Sequence, residues 1–461
     1  MRHRIERDSL GEVTVPNDAY WGATTKRAID NFRISGLVFQ RRFIRALGVV
    51  KVACAEANLE ARVLSDESAK AIIQAASEVI DGRLDSQFPV DIFQTGSGTH
   101  TNMNANEVIA NRAIEILGGE KGSKTVHPND DVNKSQSSND VIPTAMHVAC
   151  AEAVVHDLLP ALKGFKLALE KKAEEFSDIV KTGRTHLMDA TPVTLGEEFS
   201  TYAAQIEKGI DRINSVVPRL LELPIGGTAV GTGINAPPGF ATLAVKKISQ
   251  ITEIKFVENP NKAEGIAAHD TFVELSGALK TIAGSITKIA NDIRWMSSGP
   301  TAGLGEITVP ANEPGSSIMP GKVNPTQAEA VLMACAQVFG NDTTITFAGA
   351  SGNFELNVMK PVLAYNILQS IEILANSVDS YTEKCVVGIA PNTVRLENVL
   401  SQNLMLVTAL APNIGYDLAA EIAKNALKTG RSIREVAGEK TTLSKSDLDR
   451  LLDPKTLAGR R

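Results

Sequence analysis

The chain is poor in the residues that mark secreted, membrane-spanning, metal-binding or nucleic-acid-binding proteins. Its four cysteines, Cys54, Cys150, Cys335 and Cys385, are scattered over 461 residues with no C-x-x-C spacing. That excludes a disulfide frame and reads as buried thiols in a reducing compartment, so a cytoplasmic protein is expected. The seven histidines are equally dispersed. No H-E-x-x-H pair and no His/Cys set has metal-ligand spacing, so neither a metal nor an organic cofactor is expected. No apolar run reaches about 18 residues, which argues against a membrane span. The first residues, Met1 to Asp8, lack an apolar signal core, and Glu6 and Asp8 do not suit a transit peptide. Basic residues are not in excess: the net charge of −6 argues against nucleic acid as a partner. An anionic substrate would have to be attracted locally, not by the global field. Aromatic residues make up only 5% of a chain that is 43% hydrophobic. Alanine, leucine and isoleucine therefore do most of the burying, which suits helix-on-helix packing.

What is present is mostly helical periodicity. Residues 1–138 are mixed: a small hairpin is expected between Arg4 and Val15, then helices over about 41–62 and 67–82. The polar, Gly/Asn-rich stretch from Thr95 to Asn106 is expected to break the pattern. Residues 139–393 carry long helical runs. In the first, Met146, Cys150, Val154, Leu158, Leu162 and Phe165 recur at steps of three or four, with a kink expected at Pro160. Further runs cover about 194–221, 264–297, 326–340 and 362–386. Apolar faces on more than one side suggest a bundle that continues into neighbouring subunits. Residues 394–461 are shorter-patterned and more charged, with Gly415, Gly430 and Gly438 as breakers. The fold class expected is mainly α, a long central helix bundle flanked by two smaller domains. His147 lies on the apolar line of the first run and reads as a core histidine. Gly231 to Ala236 fits G-x-G-x-x-A, but it follows a helix and precedes Pro237-Pro238, so a dinucleotide site is excluded.

Four polar loops stand out against this background. The richest is Gly315-Ser316-Ser317-Ile318-Met319-Pro320-Gly321-Lys322-Val323-Asn324-Pro325. Its glycines allow amide groups to converge on one point, and Pro325 is placed to open a helix. Lys322 brings a full charge, Asn324 an orientable amide, and Ser316 and Ser317 hydroxyls into the same field. The others are Thr95-Gly96-Ser97-Gly98-Thr99, Ser135-Gln136-Ser137-Ser138-Asn139-Asp140 and Gly183-Arg184-Thr185-His186. Taken singly, each of these three also reads as a polar turn or a helix cap. Together they suit a small polyanion held by many neutral donors, with acid–base chemistry from serine and histidine.

The four loops resemble those of the fumarase/aspartase superfamily, in order and content, in the form seen in class II fumarases. The likeness runs from Tyr20-Trp21-Gly22-Ala23-Thr24-Thr25 to Ile414-Gly415-Tyr416. It implies an L-aspartase-like, three-domain fold divided at 1–138, 139–393 and 394–461. It also implies a homotetramer whose active sites are each shared by three subunits. The reaction implied is the reversible hydration of fumarate to (S)-malate, as in the citric acid cycle. By the same resemblance, Ser316 is the candidate base, His186 the second acid/base group, and Glu329 its carboxylate partner. Lys322, Asn324 and loop amides would hold the developing oxyanion of an aci-carboxylate, with Val323 among the substrate-binding residues. Ser97, Gly98, Thr99, Ser137, Ser138, Asn139, Thr185 and Ser317 would grip the dicarboxylate. Lys124, His127, Pro128, Asn129 and Asp130 match a second anion site, which a capped turn explains equally well. Asn353, Met359 and Ala411 depart from the pattern, outside the four loops. Two other readings stay open: an ammonia-lyase acting on aspartate, against which Ser138 counts, and a catalytically silent structural relative.

Overall fold

The computed structural model describes residues 3–459 and is 62% helical. The expected hairpin is present as His3–Asp8 paired antiparallel with Gly11–Pro16. Five long helices follow in chain order: Ser138–Glu175, Leu195–Leu220, Asp270–Met296, Thr326–Gly349 and Lys360–Lys384. The fold divides into two compact units, and the divisions fall inside these helices, at Pro160, Ile210, Ala283, Cys335 and Ala375.

The first unit comprises Met1–Pro160, Asp211–Ala283 and Ala336–Ala375. Its centre is the Arg41–Glu60 helix, buried around almost its whole circumference, with Phe43, Leu47, Val49 and Val50 fully enclosed. Burying each such side chain contributes about 1.5–3 kcal/mol. Gly48 lets the Asp66–Ile80 helix approach closely: a Cβ there would lie 2.9 Å from Ile80 Cγ1. The stretch expected to break the helical pattern does so only as far as Gly98. Gly98 takes φ 76°, and Thr99–Ile116 is a helix. Its asparagines do not end it, because they are buried among polar partners: Asn104 donates to the Gln87 carbonyl and Asn111 to that of Tyr20, both at 2.8–2.9 Å.

Ser138–Glu175 is long and apolar enough to cross a membrane by length and composition. It is a core helix instead: 72% of its most apolar stretch is buried in the fold. Before Pro160 it widens into a π-turn over Val154–Leu158, which relieves the clash between the proline ring and the carbonyl four residues back. His147 is a core histidine as expected, with Nδ1 2.8 Å from the Leu220 carbonyl oxygen.

The second unit comprises Ala161–Ile210, Gly284–Cys335 and Asn376–Arg461. Phe176, Phe199 and Tyr202 stack edge to face in its interior, and Phe165 meets Tyr381 in the same way. Toward the C-terminus, Leu410, Ile422, Ala426, Ile433, Val436 and Leu448 form a separate small core of short helices. Thr326–Gly349, which leaves this unit at Cys335, runs past the residue-340 limit that periodicity suggests. One element is unexpected in this otherwise helical stretch: a hairpin of Val180–Thr185 and Met188–Thr194.

Candidate active site

In the first unit, two helix N-termini meet. Gly98, in the left-handed conformation, starts the Thr99–Ile116 helix, and the Ser97 and Thr99 hydroxyls bond each other at 2.7 Å. Ser137 caps the helix that begins at Ser138, in a capping box with Asp140. Asn102, one turn into the first helix, donates to Ser138 Oγ at 2.9 Å and to Asn133 Oδ1 at 3.1 Å. Asn139 is fixed by its side-chain amide on the Ala229 carbonyl at 2.8 Å. Thus Ser97, Gly98, Thr99, Ser137, Ser138 and Asn139 come together. The cluster presents hydroxyls and two positive helix ends, the local chemistry of an anion site.

Three buried charges lie beneath this cluster, and sequence reasoning gave none of them a role. Asp140 is fully buried and accepts the amides of Ser137, Gly226 and Thr228 at 2.9, 3.0 and 2.8 Å. Burial raises its carboxyl to about 6 against the pull of those amides. Lys51 donates to Asn133 Oδ1 and Gln136 Oε1 at 3.0 and 2.9 Å, and Lys360 to the Asn139 carbonyl at 3.2 Å. Both lysines have no exposed surface, and burial pulls each down to about 7. Lys51 had a legible signal: it is the lone charge in Gly48-Val-Val-Lys-Val-Ala-Cys-Ala55.

In the second unit, the loop from Gly315 to Pro325 is folded on itself. A Cβ on Gly315 would lie 2.0 Å from the Lys322 carbonyl oxygen, so only glycine allows that approach. Asn324 Nδ2 donates to the Gly315 carbonyl at 2.5 Å. Ser316 Oγ accepts the amides of Ile318 and Met319 at 3.3 and 3.1 Å. Two N–H donors on one hydroxyl oxygen favour its deprotonated form. Ser317, Lys322 and Val323 are exposed beside it. The following helix opens at Thr326, where the helical run is expected, with the Pro325 carbonyl accepting the first helical bond from Glu329 at 3.2 Å.

Thr185 and His186 sit at the tip of the unexpected hairpin. His186 and Leu187 form its two-residue turn at φ 57° and 61°, and both are exposed. Glu329 is also exposed, and among the described residues no hydrogen bond or ion pair joins it to His186.

Four of the five second-site residues, Lys124, His127, Pro128 and Asn129, line one cavity of about 570 Å³ in the first unit. Asp130 is exposed and lies outside that lining. Lys124 Nζ is held by the Arg7 carbonyl at 2.7 Å. His127 caps a π-turn by accepting the Asn129 and Asp130 amides on Nδ1 at 3.2 and 3.1 Å. The cavity is also lined by Glu6, Asp8 and Glu107, each already paired with cations or amides. Among the described residues, no group of three or more His, Cys, Asp or Glu could hold a metal ion.

The Lyase family model matches residues 11–340 and the Fumarase C C-terminus model residues 406–459. A class II fumarate hydratase of Caulobacter vibrioides is 56% identical over 455 residues, 98% of each chain. Among solved structures, the recombinant class II fumarase of Schistosoma mansoni superimposes with a TM-score of 0.97 at 40% identity, covering 99% of each chain. The fumarate lyase:delta crystallin of Brucella melitensis bound to cobalt gives 0.94 at 46% identity, over 99% of this chain and 100% of that one.

Proposed function

The chain belongs to the class II fumarate hydratase family of lyases, and from that membership we propose that it hydrates fumarate reversibly to (S)-malate. The observation that carries this reading is the Ser316 hydroxyl, with two backbone amides on its oxygen and Lys322 and Asn324 in the same loop.

In the dehydration direction, Ser316 as alkoxide takes the C3 proton of malate. The electron pair left on C3 moves into the adjacent carboxylate as an aci-carboxylate, whose charge Lys322, Asn324 and loop amides stabilise. His186 then protonates the departing C2 hydroxyl, so water and fumarate leave. Hydration is the reverse. Ser97, Thr99, Ser137, Ser138, Asn139, Thr185 and Ser317 bind the carboxylates and hydroxyl, with Gly98 and Val323 shaping their loops.

The lack of a hydrogen bond or ion pair between His186 and Glu329 within one chain supports a site completed between subunits of a homotetramer. Exposed apolar side chains support the same assembly: Met333 is 68% and Phe347 70% exposed on the Thr326–Gly349 helix, and Phe354 is 93% exposed. Exposed apolar side chains that group on one surface mark interaction sites. The division at 1–138, 139–393 and 394–461 and a cytoplasmic setting belong to the same reading. So does a second anion site at Lys124, His127, Pro128, Asn129 and Asp130.

The test is fumarate formation from malate and from aspartate, followed by ultraviolet absorbance. Activity on malate is expected. Activity on aspartate alone makes the protein an ammonia-lyase, and activity on neither makes it a silent structural relative.

A further inference from the structure

A buried carboxylate joins the two cations of the hairpin that carries His186. Glu306 is 1% exposed; its Oε2 lies 2.7 Å from Lys181 Nζ and its Oε1 2.5 Å from Arg184 Nη2. Lys181 and Arg184 are three apart on the Val180–Thr185 strand, so in a regular strand they would face opposite ways. They reach one carboxylate because the register shifts between Thr182 and Arg184. Gly183 sits in that bulge, where a Cβ would meet the Thr191 carbonyl oxygen at 2.6 Å. Lys181, with no exposed surface, also holds Glu198 at 2.8–2.9 Å.

The other end of the connection leads to the serine loop. Glu306 donates its amide to the Met296 carbonyl and accepts that of Asn392, both at 2.8 Å. The next two residues, Ile307 and Thr308, pair with Ala390 and Pro391, and the chain then enters the Gly315–Pro325 loop. The turn itself is exposed, so its aim is set from below. We infer that Glu306 is a positioning residue that fixes the direction of the His186 turn through Lys181 and Arg184. This rests on the acid/base role proposed for His186.

Glu306→Gln keeps the shape and removes the charge that two cations share. The hairpin keeps its independent anchor, Asn403 on Thr182 Oγ1 and the Ala190 carbonyl at 3.2 and 2.8 Å. On malate, Glu306→Gln is expected to lower kcat by about 100-fold, the cost of misplacing a reacting group by about 1 Å, with little change in KM. In a His186→Asn background the same change should cost less than about twofold, because the two residues act as one unit. Should Glu306→Gln not assemble, Arg184→Gln, at the more exposed end of the clamp, is read in the same cycle. Equal losses in both backgrounds, or no loss in kcat, overturn the positioning role and leave the proposed reaction intact. A His186→Asn enzyme with full kcat overturns both.

Discussion

The Lys360 ammonium donates to the Asn139 carbonyl at 3.2 Å, while the Lys360 backbone amide donates to the Gly96 carbonyl at 3.0 Å. One buried residue therefore holds both hydroxyl loops of the first unit. Burial is the larger influence on its charge and pulls it from 10.5 down to about 7, with Asp140 opposing. The unfolded chain keeps the ordinary value, so above about pH 7 it binds a proton the folded chain has lost. Stability contributed by this residue thus rises with pH from about 7 to 10.5, and Lys51 adds in the same direction. Lys360→Met is expected to flatten the rise of Tm across that window and to lower activity about tenfold by freeing Asn139. Thermal unfolding at several pH values checks it; an unchanged slope would refute the buried cation.

The approach of the same loop to residue 358 allows a sharper comparison. A Cβ on Gly96 would stand 1.6 Å from the Val358 carbonyl oxygen and 2.4 Å from its carbon. Both are backbone, so no rotamer change relieves the clash. Gly96→Ala should cost about 1–3 kcal/mol or more and open the Ser97–Thr99 turn. Gly438→Ala is the contrast: it lies in the Ile433–Lys440 helix, and its nearest neighbour would be Leu448 Cδ1 at 3.8 Å. That change should gain up to about 1 kcal/mol from helix propensity. Urea unfolding midpoints should therefore move in opposite directions.

Why some of this was legible and some was not has a physical basis. Met146, Cys150, Val154 and Leu158 announce their helix because the buried face repeats at helical spacing. The polar loops announced themselves because hydroxyls and glycines cluster there with no apolar periodicity around them. The Thr99–Ile116 helix hid because its buried face carries Asn102, Asn104 and Asn111, whose partners lie far away in sequence. The His186 hairpin hid because a bulge at Gly183 erases the alternation that marks a strand. Nothing in their sequence neighbourhoods marks Lys181 and Glu306 as buried; the fold alone encloses them.

Ser316 offers a direct chemical test. Its oxygen accepts the Ile318 and Met319 amides, and no other proposed residue in that loop has such support for an alkoxide. Ser316→Ala should reduce kcat on malate by about 10²–10⁴-fold, the usual weight of a general base. Assembly should persist, because the Asn324 bond to the Gly315 carbonyl does not involve the serine. Kinetics alongside sedimentation of the variant decide it; full turnover would remove serine from the base role.

Whether His186 and Ser316 of one site come from the same chain is open to a direct test, and the exposed His186 and Glu329 bear on it. Both are solvent-facing in one chain and lack a mutual contact there. The proposed homotetramer would bring like surfaces together by symmetry, so that a residue of one subunit completes the site of the next. His186→Asn and Ser316→Ala proteins should each be nearly inactive alone. Unfolded together and refolded as mixed tetramers, they place an intact His186 and an intact Ser316 on different chains. If the two residues of a site come from different subunits, random mixing makes about one site in four whole, and about a quarter of wild-type activity returns. If each chain supplies both residues to its own site, no mixture contains a whole site and nothing returns. The recovered rate therefore reads the origin of the two groups directly, without a structure of the assembly.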